Sequence, residues 1–138
     1  MARKIFKDSN MNKGFLSIAA VLGALSVALG AFAAHGLRDR VPADAVAVFE
    51  TGVRYQFYHV FALLFVGLIS DRVSNRWVIW AGNCFIMGII FFCGSLYTLT
   101  ALRAADISPM KIVGIATPVG GVFFIAGWLF LWLGVKKK

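Results

Sequence analysis

The stretch VRYQFYHVFALLFVGLIS, residues 53–70, decides the fold. A helix crossing the hydrocarbon core of a bilayer, about 30 Å thick, needs about 20 predominantly apolar residues. This stretch reaches that length only if its polar beginning goes in with the rest. Tyr55, Gln56 and His59 are then drawn into the membrane. A second version starts the helix at Pro42, a residue suited to a first helical turn, and runs it along the interface from Ala43 to Thr51 before it enters lipid. Both versions give His59 nearly the same depth.

Three further apolar segments flank it, at 15–34, 77–102 and 112–135. Each is long enough to span. The whole chain of 138 residues reads as a single all-α membrane domain, a four-transmembrane-helix bundle. Composition supports this, because 60% of residues are hydrophobic and 14% are charged, where a soluble domain carries about 25% charge. The formal charge of +8 does not indicate nucleic acid. The basic residues sit at the termini and in short connections, with no aromatic-interleaved basic face to follow a phosphate backbone. Basic ends suit membrane lipid as partner and the positive-inside rule for orientation.

Counting Lys and Arg alone, the amino-terminal tail, the turn at 71–76 and the tail at 136–138 hold nine, against five in the other two connections. Both termini are therefore expected in the cytoplasm. The first segment also imitates a secretory signal, with Arg3, Lys4, Lys7 and Lys13 ahead of an apolar run and Ala31-Phe32-Ala33 as a cleavage-like site. The run is too long for a signal core, and three spans follow it, so an uncleaved anchor is expected.

Glycines recur at sevens, Gly23 and Gly30 in the first span and Gly120, Gly127 and Gly134 in the fourth. Such spacing lines them up on a helical stripe. Lipid tails are as apolar as leucine, so close packing over small residues is the expected glue between spans. Pro118 should kink or locally open the fourth span. Gly82, Gly88 and Gly94 in the third follow no clean stripe. Cys84 and Cys93 point to opposite faces of one helix and read as space-filling thiols.

With both tails inside, the first span ends outward near His35 and the second descends through Tyr55, Gln56 and His59. The two histidines are thus expected at one level, in the outer half of the membrane. Tyr55, Gln56 and His59 share a helix face, and Thr117 enters the same half from the fourth span. Glu50 and Arg54, an i, i+4 pair, can neutralise each other where the second span enters lipid. The candidate site is His35, Glu50, Arg54, Tyr55, Gln56, His59 and Thr117.

Buried ionisable groups in a membrane are functional candidates, yet three readings fit these residues. One is a satisfied hydrogen-bond network that fixes helix register. Another is a pocket for a small ligand, a lipid headgroup or a proton, since imidazole titrates near neutral pH. The third, a metal or haem site, has only two imidazoles and no carboxylate at ligand spacing. No metal, cofactor or catalytic residue is assigned. Hydrolase, Walker and dinucleotide-binding motifs are absent from the sequence.

GAFAAHGL (Gly30 to Leu37), FETGVRYQFYH (Phe49 to His59) and TPVGG (Thr117 to Gly121) resemble the signature stretches of the small bacterial inner-membrane family called domain of unknown function 423, related to transmembrane protein 256 of animals. The resemblance covers nearly the whole chain. It implies a multi-pass protein of the bacterial inner (plasma) membrane and supplies no activity, substrate or catalytic residue. The function expected is non-enzymatic, through self-association as a homo-oligomer or association with a larger membrane complex. The alternative is binding or conduction of a small ligand, lipid headgroup or proton at the outer cluster.

Overall fold

The computed structural model describes residues 11–73, 75–108 and 111–136. Every element among them is helical. Helix α1 (Lys13–Phe32) continues into a π turn at Ala33–Leu37. Helix α2 covers Ala43–Ile69, α3 covers Arg76–Gly88, a second π turn covers Ile89–Cys93, α4 covers Gly94–Ala104, and α5 covers Lys111–Lys136. The chain thus has four helical stretches long and apolar enough to cross a membrane: 13–37, 43–69, 76–104 and 111–136.

Local chemistry sets the helix ends. The Asn12 side chain accepts the Phe15 amide at 3.1 Å and caps α1. Asn75 does the same for α3, accepting from Trp77 and Val78 at 3.1 and 3.2 Å. Its own amide donates to the Gly134 carbonyl at 2.9 Å, tying the start of α3 to the end of α5. Each cap satisfies amides that a helix start leaves without partners. Pro42 stands just before α2, which runs unbroken from Ala43. The second span is therefore a single long helix beginning ten residues before Val53, about 40 Å in length. Gln56 is its middle residue.

The spans pack antiparallel in sequence order. Along α1 and α2, Gly23 faces Val60 and Gly30 faces Val53, each at ordinary contact distance. Along α5 and the third span, Gly134 faces Val78, Gly127 faces Phe85 and Gly120 faces the Phe92 backbone, seven residues up one helix for seven down the other. A methyl group on Gly127 would stand 2.6 Å from the Phe85 ring, and one on Gly120 would run into the Phe92 amide nitrogen. The glycine stripe of the fourth span is the seam on which the third span lies. Phe15, Leu63, Val66, Val78, Ala81 and Phe85 form the core between α1, α2 and α3.

The expected opening at Pro118 does not interrupt α5, which stays α-helical throughout. The widened turn lies across the seam instead, at Ile89–Cys93 of the third span. There the Ser95 hydroxyl donates to the Phe92 carbonyl at 2.8 Å. π turns change the phase of a helix and commonly mark functional positions.

Candidate functional site

The seven candidate residues divide into separate groups. Gln56 is 2% exposed and His59 5%, so the α2 face carrying them looks inward as its spacing requires. Gln56 joins three spans. Its amide donates to the Leu22 carbonyl of α1 at 3.2 Å, and its carbonyl accepts the Tyr97 hydroxyl of α4 at 2.9 Å. The Leu22 carbonyl also accepts from Ser26 at 2.8 Å. Gly52 makes room for the Tyr97 ring, which a methyl group would approach to 2.7 Å.

His59 forms the second group, with α3 and α5. Its ring stacks on Phe124 at 3.5 Å between centroids and 9° between planes. Nδ1 lies 2.7 Å from the Tyr55 carbonyl oxygen, and the Trp128 indole N–H donates to Nε2 at 3.3 Å. A carbonyl can only accept and an indole N–H can only donate. Nδ1 therefore carries the proton, Nε2 is the acceptor, and the neutral imidazole satisfies both partners. A protonated ring would direct a second N–H at Trp128. Phe85 completes the surround, 5.6 Å from His59 and 5.2 Å from Trp128. Tyr55 contributes its backbone to this group while its side chain, 38% exposed, lies against Phe92 at 4.8 Å.

Thr117 belongs elsewhere. Its hydroxyl is 2.6 Å from that of Ser95. Since the Ser95 proton is directed to the Phe92 carbonyl, Thr117 is the donor, linking α5 to the widened turn.

The remaining candidates stay outside. His35 is exposed, in the π turn at the end of α1. The pairing of Gly23 with Val60 and Gly30 with Val53 puts His59 opposite Ala24. His35 is eleven residues further along, about 16 Å away along the axis. The expectation that the histidines share one level is corrected: the long α2 begins early, so His59 lies just beyond its midpoint. That separation prevents both imidazoles from serving one ligand. Glu50 and Arg54 form no ion pair among the described residues, and Arg54 points outward. An ion pair does join Arg103 to Asp44, at 2.9 Å, both more than half exposed.

Trp128, Phe124 and Phe85 escaped sequence reasoning because aromatic residues in apolar spans carry no periodic sign of a polar contact. The four-residue spacing of Phe124 and Trp128, matched to the inward histidine, is the signal that could have found them.

The family model for a protein of unknown function, DUF423, matches residues 29–121. The chain belongs to the DUF423 family. The matched segment of this DUF423 protein includes His35, Gln56, His59, Tyr97 and Thr117, and ends before Phe124 and Trp128. The chain is 41% identical over 125 residues to a UPF0382 membrane protein of Staphylococcus saprophyticus, covering 91% of this chain and 98% of that one. It is 40% identical to a UPF0382 membrane protein of Haemophilus influenzae, covering 93% and 98%. It is 36% identical to the UPF0382 inner membrane protein YgdD of Escherichia coli K12, covering 89% and 92%. No solved structure matches it. This DUF423 chain is a multi-pass membrane protein, and the inner-membrane location expected from its sequence agrees with the name of the Escherichia coli relative.

Proposed function

We propose that this protein acts without catalysis, by self-association in the membrane, with both termini in the cytoplasm. The observation that carries this reading is the outer face of α1. Gly14, Ser17, Val21, Ala24, Ala28 and Ala31 are all exposed in the single chain. Their alternating steps of three and four are the spacing of a helix-helix seam. All but Val21 are small, as close approach of two membrane helices requires. His35 stands at the next step of the same spacing and is also exposed. The satisfied state of Gln56 and His59 supports a structural role for the inner network.

Disulfide trapping tests this reading. With Cys84 and Cys93 replaced by Ser, Ala24→Cys and Ala28→Cys should each cross-link between copies in native membranes, and Ile125→Cys on α5 should not. Ala24→Leu should abolish trapping at Ala28→Cys. A protein that stays monomeric at every lipid-to-protein ratio, with no α1 cross-link, overturns it.

A further inference from the structure

At the end of the bundle where α2 begins and α4 ends, a cavity of about 360 Å³ lies between the two helices. That size falls within the range of about 300–1,000 Å³ usual for small-molecule sites. Val48, Leu99 and Ile107 give it apolar walls, while Thr100, Arg103, Asp106 and Ser108 supply its polar groups.

Among the charged groups of the lining, the one without an ion pair is negative. The charge of Arg103 is matched by Asp44 at 2.9 Å. Thr100 is 2% exposed, and its hydroxyl proton is directed to the Ala45 or Leu96 carbonyl, at 3.2 and 3.1 Å. Its oxygen retains only acceptor capacity. Asp106 forms no ion pair among the described residues. Beside the remaining N–H donors of the paired Arg103 and the Ser108 hydroxyl, the cavity thus presents the Thr100 oxygen and, at Asp106, a carboxylate with no ion pair among the described residues.

Asp106 also occupies a costly position. Its φ of 55° is the left-handed conformation that glycine usually supplies just after a helix. Its amide donates to Arg103 at 3.2 Å, and the next amide, Ile107, closes back on Leu102 at 2.9 Å. A carboxylate there faces the negative end of the α4 dipole. Glycine would remove both penalties, so an acid at this position runs against the local preference.

We propose that this cavity binds an amphiphile carrying an ammonium group, its N–H donors on Asp106 and Thr100 and its hydrocarbon against Val48, Leu99 and Ile107. A lipid headgroup with a primary amine and a free alkylamine share this chemistry.

The test uses the full chain in phosphatidylglycerol nanodiscs, with calorimetric titration of hexylammonium, hexan-1-ol and hexanoate, three probes with one apolar body and different heads. Signals from empty nanodiscs are subtracted. Hexylammonium should bind at least tenfold more tightly than hexan-1-ol, and hexanoate should show no saturable binding. Asp106→Asn, which tolerates the same backbone conformation, and Asp106→Gly should both remove the preference, while Asp39→Asn should keep it. Unfolding temperatures recorded alongside identify any variant that loses the fold. Repeating the titration with phosphatidylethanolamine in the disc separates the sources: weakened hexylammonium binding marks the lipid as occupant, and unchanged binding marks the free amine. Equal affinity for the amine and the alcohol, or a preference that survives both Asp106 variants, overturns the proposal.

Discussion

At the scale of single residues, the inner polar groups are matched donor to acceptor, and the cost of a change depends on which partner is left behind. Trp128→Phe keeps a ring over His59 and deletes the N–H that Nε2 accepts. Removing one partner of such a contact exposes the desolvation cost of the other. Thermal unfolding in detergent should show a loss of about 1 kcal/mol. Tyr97→Phe should cost about the same by leaving the Gln56 carbonyl oxygen without its donor. Replacing both ends, Gln56→Leu with Tyr97→Phe, should cost less than the sum of the single changes, a coupling that a double-mutant cycle measures. The inward direction of Gln56 and His59 was legible from sequence, because the helical period fixes it. The split into two groups was not, because the relative height of His35 depends on the register between α1 and α2. No single helix encodes that register.

At the scale of elements, the seam between the third and fourth spans makes a matched pair of tests. Gly120→Ala would drive a methyl group into the Phe92 backbone, whereas the same change at Gly121 meets only the Phe92 ring, at 4.0 Å. Overpacking where nothing can yield costs about 1–3 kcal/mol. Unfolding measurements should therefore show Gly120→Ala clearly weakened and Gly121→Ala close to the parent. The end of α4 tests the opposite sign. Asp106→Gly relieves a left-handed non-glycine residue, and a gain of about 1 kcal/mol is expected in the same assay. The stripe at sevens in the fourth span was legible because α5 is uniform from end to end. The third span was not, because Gly82 makes room for Phe15 of α1 and Gly88 for Phe124 of α5, while Gly94 faces open space. A helix that changes neighbours and phase along its length has no single stripe to read.

At the scale of the whole molecule, the distribution of Lys and Arg predicts that the α1 start and the α5 end share the cytoplasmic side. A membrane-impermeant maleimide applied to intact cells should label Asp44→Cys and spare Lys136→Cys; the reverse pattern would invert the orientation. The number and approximate position of the spans follow from hydropathy, and their lateral order from short connections. Which surfaces remain uncovered does not follow from either. The first span lies along the second and the fourth along the third, and among the described residues no hydrogen bond or ring contact joins the first span to the fourth. The molecule consequently has two unlike edges. One carries a smooth stripe, the small side chains of α1, with Ile18, Leu25 and Val27 exposed beside it; the other is rough, built from Val122, Ile125, Trp128, Leu129 and Trp132. Smooth against smooth is a two-fold contact that closes at a pair, whereas smooth against rough would repeat and grow into rows. Edge texture, set by nothing more than side-chain volume, thus separates a protein that stops at two copies from one that could tile the bilayer.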